Sequence, residues 1–206
     1  MSRGSLVVFV GPMFAGKSAH LIAEAKAHAG TLRLTPVFDT RSGGCLHSRE
    51  GVSLTARAIA SWPADATEYA HVVVDEAQFL GAPFYEGDIV ADILDARAQG
   101  VHLAVGSLDT DYRREPFGIT QRLISAADCC VRLQARCHVC GAPARWTAKK
   151  RDTGCVLETG DDELYEARCD AHWSLPGDVS AAGGADLCVA AMPEKSRPEK
   201  SAPEKP

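Results

Sequence analysis

The sequence predicts an α/β fold, a parallel β-sheet flanked by helices, and three observations predict it. Short apolar runs alternate with helix-like stretches through about Val131. A glycine-rich loop joins the first run to the first helix-like stretch, and an acidic pair closes the third run. The runs are largely apolar rather than alternating, as strands covered by helices on both faces tend to be.

Leu6-Val7-Val8-Phe9-Val10 reads as the first buried strand. Gly11-Pro12-Met13-Phe14-Ala15-Gly16-Lys17-Ser18 follows it, with the spacing Gly, four residues, Gly-Lys-Ser. An alanine-rich stretch from Ser18 to His28 then reads as a helix. Strand, loop and helix are the context a phosphate-binding loop requires, so the sheet is expected to be P-loop NTPase-like. Backbone N–H groups and the helix N-terminus would surround a polyphosphate, Lys17 would reach its outer oxygens, and Ser18 could ligate Mg2+. Leu34 to Phe38 is the next strand candidate. His71-Val72-Val73-Val74 is the third, and it runs into Asp75-Glu76-Ala77-Gln78-Phe79. Two adjacent carboxylates let roles divide: Asp75 for the metal, Glu76 to accept a proton from an attacking hydroxyl or water. Gly87 to Gln99 reads as a helix and Val101 to Gly106 as a fourth strand.

Cysteines dominate the next segment. Cys137-His138-Val139-Cys140 and Cys169-Asp170-Ala171-His172 each place two ligands on one tight turn. Together they supply the sulfur and nitrogen shell that tetrahedral Zn2+ prefers. The 28 residues between Cys140 and Cys169 exceed the usual zinc-ribbon gap of about 15–20. The metal would therefore staple the base of a sizeable loop, and four protein ligands leave it a structural role. Cys45, Cys129, Cys130, Cys155 and Cys188 show no such spacing.

Composition bounds the rest. The chain has 206 residues, 46% of them hydrophobic, and a net charge of −5. This is enough for a packed core, and it argues against a nucleic-acid polymer as partner. No apolar run approaches the roughly 20 residues that cross a bilayer, and no signal-peptide core precedes the first strand. A cytoplasmic protein with no membrane partner is expected. From Ser174 the composition turns to Gly, Ala and Pro, ending in Pro-Glu-Lys repeated at 193, 198 and 203, which reads as a disordered tail.

These residues resemble the zinc-containing, cellular and bacterial (type II) thymidine kinases. Four segments occur in that family's order: Gly-Pro-Met-Phe-Ala-Gly-Lys-Ser at 11–18, Asp-Glu-Ala-Gln-Phe at 75–79, Leu-Asp-Thr-Asp-Tyr-Arg-Arg-Glu-Pro-Phe-Gly at 108–118, and the Cys/His pairs. The resemblance implies transfer of the ATP γ-phosphate to the 5′-hydroxyl of thymidine, for DNA precursor salvage. It implies a phosphate-loop domain over 1–134, a zinc-binding lasso domain over 135–175, a tail over 176–206 and a homotetramer. Glu76 becomes the general base. Asp75, Glu76, Ala77 and Gln78 join residues 11–18 as nucleotide-binding, and Arg41 would lie near the phosphates. Met13, Phe79, Leu108, Tyr112, Phe117 and Tyr165 form the thymine pocket by position. The lasso between the cysteine pairs would close over the nucleoside and exclude water. In this chain it is acidic, reading Leu157-Glu158-Thr159-Gly160-Asp161-Asp162-Glu163, a departure that would either slow the approach of ATP or alter nucleoside preference, or be made silent by solvent screening. Two other classes compete: a phosphate-loop hydrolase with water as acceptor, and a non-enzymatic zinc module.

Overall fold

A computed structural model describes residues 3–39 and 43–176. Thr40, Arg41 and the chain from 177 onward, which holds nearly all of the expected tail, lie outside the described residues. Leu6–Val10 forms β1 and Lys17–Ala27 forms α1. Leu32–Pro36 is β2, and the short strands Cys45–His47 (β3) and Ser53–Thr55 (β4) pair as an antiparallel hairpin. Arg57–Ile59 is β5, His71–Val74 β6, Ile89–Ala98 α2 and His102–Ser107 β7. Gly118–Ala126 forms α3 and Cys129–Arg132 forms β8.

Six of these strands make one sheet in the order β5-β2-β6-β7-β1-β8, and every pairing in it is parallel. The two-residue side-chain period divides the apolar residues between two layers. Leu6, Val8, Val10, Val72, Val74, Leu103 and Val105 pack with Ile93 of α2 and Leu123 of α3. Phe9, Val73 and Ala104 point the other way, onto Leu21, Ile22 and Ala25 of α1. With both faces covered, β1 is apolar throughout and β6 is apolar after His71. Helix α2 is capped by Asp88, whose carboxylate accepts from Val90 N at 3.0 Å and Ala91 N at 3.4 Å.

Beyond residue 134 the chain builds short antiparallel pairs instead. Ala135–Arg136 (β9) pairs with Pro143–Ala144 (β10), and Trp146–Lys149 (β11) pairs with Tyr165–Arg168 (β12). This lobe is joined to the phosphate loop directly, since Met13 N–H donates to Thr147 Oγ1 of β11 at 3.0 Å. Among the described residues no helix is long and apolar enough to cross a membrane.

Candidate active site and metal cluster

The loop between β1 and α1 needs its glycines for different reasons. Gly11 has φ +151°, and a Cβ there would lie 2.4 Å from Leu133 O, so β8's end leaves no room for a side chain. Phe14, at φ 69°, holds the left-handed conformation without being glycine, the kind of local strain that clusters at functional sites. Its ring is held from both sides, by the Arg49 guanidinium 3.8 Å away and by the His138 ring at 5.1 Å. Lys17 is buried, and its ammonium donates to Gly11 O at 3.1 Å and Pro12 O at 2.8 Å, across the mouth of the loop.

Strand β6 delivers the acidic pair. Asp75 is buried and accepts hydrogen bonds from Glu76 N at 2.9 Å and from the Ser18 hydroxyl. Burial first, then the neighbouring Glu76 carboxylate, push its pKa up to about 7; Ser18 and Lys17 pull the other way. The loop hydroxyl and the strand-end carboxylate thus meet as hard oxygen donors of the kind Mg2+ takes. Glu76 turns the chain sharply at φ 52° and ψ 41°, out of the strand direction.

Two cavities meet here. One is an open groove lined by Phe14, Ala15, Gly16, Lys17, Ser18 and Asp75 among others. The second is lined largely by apolar and aromatic side chains. All six residues expected at the thymine pocket, Met13, Phe79, Leu108, Tyr112, Phe117 and Tyr165, line it. Met13 and Glu76 line both cavities. Gly11, Pro12, Ala77 and Gln78 line neither; all four are buried.

Sequence reasoning missed several residues of the second cavity, including Thr147, Asp111 and Glu158. It missed Lys149 too, a lysine buried to 3% exposure. Lys149 Nζ pairs with Glu158 Oε2 at 2.7 Å and donates to Cys155 O at 2.8 Å, while lying 5.1 Å from the Tyr112 ring and 5.9 Å from that of Tyr165. Tyr165 OH donates to Glu158 O at 3.0 Å. The acidic stretch is therefore tied down at Glu158 rather than uniformly facing solvent. Burial raises the Glu158 pKa, but Lys149 and Thr153 outweigh it and hold the carboxyl below its usual value.

The Cys/His pairs converge. The ligand atoms of Cys137, Cys140, Cys169 and His172 all lie within 4.8 Å of one another. Cys140 Sγ is 3.8 Å from Cys169 Sγ, and His172 Nδ1 is 3.2 Å from Cys169 Sγ and 3.9 Å from Cys137 Sγ. A tetrahedron with metal–sulfur bonds of about 2.3 Å has edges of about 3.8 Å, so the donor set fits a metal ion. Burial raises the Cys137 thiol, yet N–H groups of Cys169, Cys140 and Val139 turned toward the sulfur outweigh it and bring its pKa down to about 6. A thiolate is the form that binds metal.

A phosphate loop on a parallel sheet with an acid pair at a strand end defines a P-loop α/β protein, and an apolar cavity adjoins the loop. The family model for thymidine kinases matches residues 4–173, and the chain belongs to that family. It is 34% identical over 186 residues to the thymidine kinase of Mycoplasma genitalium, covering 84% of each chain. It is 34% identical over 186 residues to that of Mesomycoplasma hyopneumoniae, covering 84% of this chain and 96% of the relative. Against the thymidine kinase of Pyrobaculum aerophilum the figures are 34% over 193 residues, with 83% and 99% covered.

Proposed function

We propose that this chain transfers the γ-phosphoryl group of ATP to the 5′-hydroxyl of thymidine, giving thymidine monophosphate in the cytoplasm. One observation carries the reading: the phosphate groove and the apolar cavity share Met13 and Glu76 as a common wall. A nucleoside whose base lies among Phe79, Leu108, Tyr112, Phe117 and Tyr165 would point its 5′ end toward Glu76, with the donor phosphates on the far side. The 5′-oxygen forms a bond to the γ-phosphorus as its proton passes to the Glu76 carboxylate. The bond from that phosphorus to the bridging oxygen breaks, and ADP leaves. Lys17 and the loop amides hold the donor phosphates in line. Ser18 and Asp75 would hold Mg2+, which when bound neutralises phosphate charge. Cys137, Cys140, Cys169 and His172 would hold a structural Zn2+ at the base of the 150–164 loop.

The test is transfer from γ-labelled ATP offered thymidine, deoxycytidine, deoxyguanosine or water. Labelled thymidine monophosphate is expected. Glu76→Gln should lower kcat by roughly 10²–10⁴-fold with little change in KM for thymidine. Hydrolysis with no labelled nucleotide at saturating thymidine would sink the kinase reading, and elemental analysis finding no zinc would remove the metal.

A further inference from the structure

Gln78 follows Glu76 by two residues and is 4% exposed, and it lines neither cavity. Its amide is engaged inside the protein. Leu108 N–H, which can only donate, reaches Gln78 Oε1 at 2.9 Å, and the Ser107 hydroxyl donates to the same oxygen at 3.1 Å. These donors fix which end of the amide is which. The Nε2 end faces the other way and donates to Glu76 Oε2 at 2.5 Å. The supports are themselves held: Ser107 Oγ lies 2.7 Å from Thr120 Oγ1, and the Thr120 hydroxyl donates to Leu108 O at 2.8 Å. Ser107, Leu108 and Thr120 are buried.

We infer that Gln78 is the positioning residue for the Glu76 carboxylate, and that it makes no contact with the nucleotide. The inference rests on the kinase reading with Glu76 as base. A general base must stand within about 2.6–3.2 Å of the proton it takes, and a glutamate side chain on a left-handed turn has free rotors to fix. An amide donor on Oε2 restricts them. A cationic donor at that place would hold the carboxylate anion more strongly and weaken it as a base; a neutral amide orients at smaller expense. Strand β7 thereby couples the two sites, because Leu108, whose N–H orients the amide, also lines the apolar cavity.

A double-mutant cycle of Gln78→Met and Glu76→Gln tests this, with kcat and both KM values measured for each variant and thermal unfolding checking the fold. Gln78→Met should lower kcat by about 10–100-fold with both KM values within about threefold of the parent. In the Glu76→Gln background it should have little further effect, because a residue acting through Glu76 has nothing left to position. A purely structural role would instead give additive losses. If Gln78→Met does not fold, Gln78→Asn keeps a neutral amide one carbon shorter, which cannot span from Leu108 and Ser107 to Glu76, and it carries the same expectation. Unchanged kcat, additive losses, or a raised KM for ATP with kcat preserved overturns the inference while Glu76→Gln still reports on the base. Full turnover by Glu76→Gln itself would overturn both.

Discussion

The Asp75 carboxylate occupies a space that only glycine at 106 leaves open: a Cβ there would lie 3.0 Å from Asp75 Oδ1 and 2.7 Å from Leu21 Cδ1. Helix α1 and the Asp75 carboxylate thus both press on β7, and the sequence shows no more of this than a glycine inside an apolar run. The position is chemically useful and energetically poor. Burial, with the Glu76 charge beside it, raises Asp75 from the ordinary 3.8 to about 7. With the folded value above the unfolded one, the folded protein keeps a proton that the unfolded chain releases. Stability therefore falls as pH rises from about 4 to about 7, and the full penalty stands above that. At about 1.4 kcal/mol per pKa unit the penalty is of the order of 4–5 kcal/mol. Asp75→Asn, measured by thermal unfolding in EDTA, should raise Tm at pH 8 by several degrees and leave it unchanged at pH 4, while abolishing activity. Equal Tm values at pH 8 would mean that Asp75 carries no such burden.

At the scale of elements, legibility followed pattern length. β1, the phosphate loop, α1, β6, α2 and β7 carry long apolar runs or helical periods, and each forms within a few residues of its expected place. β2 begins at Leu32, ahead of the expected Leu34, because Arg33 lies within it and turns its Nε to Thr55 O at 2.6 Å; a charged residue hides the strand's start. β8 is a half-exposed edge of the sheet, and the strands beyond 134 run two to four residues, too short to show a period. Lys149 was illegible for another reason. A lysine reads as solvated until the fold supplies Glu158 and two tyrosine rings. It holds the 150–164 loop from beneath, and it sits behind the wall that Tyr112 and Tyr165 give the apolar cavity. Lys149→Met should loosen that loop, raising KM for thymidine about tenfold while lowering kcat less. It should also speed tryptic cleavage at Lys150 and Arg151, and leave metal content unchanged. Parental KM and cleavage rate would assign the loop's order to other contacts.

For the molecule as a whole, the direction of the parallel strands separates two chemistries. The phosphate loop, the acid pair and Leu108 all sit at carboxyl ends of β1, β6 and β7, where ligands of open α/β sheets bind. The opposite edge gathers imidazoles instead. His71 and His102 begin β6 and β7, and His28 follows α1. The His28 and His71 rings stack at 3.8 Å and 5°, and His71 and His102 at 5.1 Å and 22°. Glu24 of α1 also faces this group, and Ser5 N–H donates to His102 Nδ1 at 3.3 Å. Burial first, then charge on His28 and His102, lower the His71 pKa, against an opposing pull from Glu24. A base with a lowered folded value takes up fewer protons than the unfolded chain does, so the stability it lends is complete above about 6.5 and drains away as pH falls below it. Partial exposure screens the effect, which shows as a small shift of Tm. His71→Phe keeps an aromatic ring in the stack and removes its proton. Between pH 7.5 and 5.5 the parent should lose more Tm than the variant, while both turn over substrate alike at pH 7.5, because the stack lies at the edge remote from Glu76. Parallel pH curves for the two proteins would show that this edge is an aromatic stack without proton linkage.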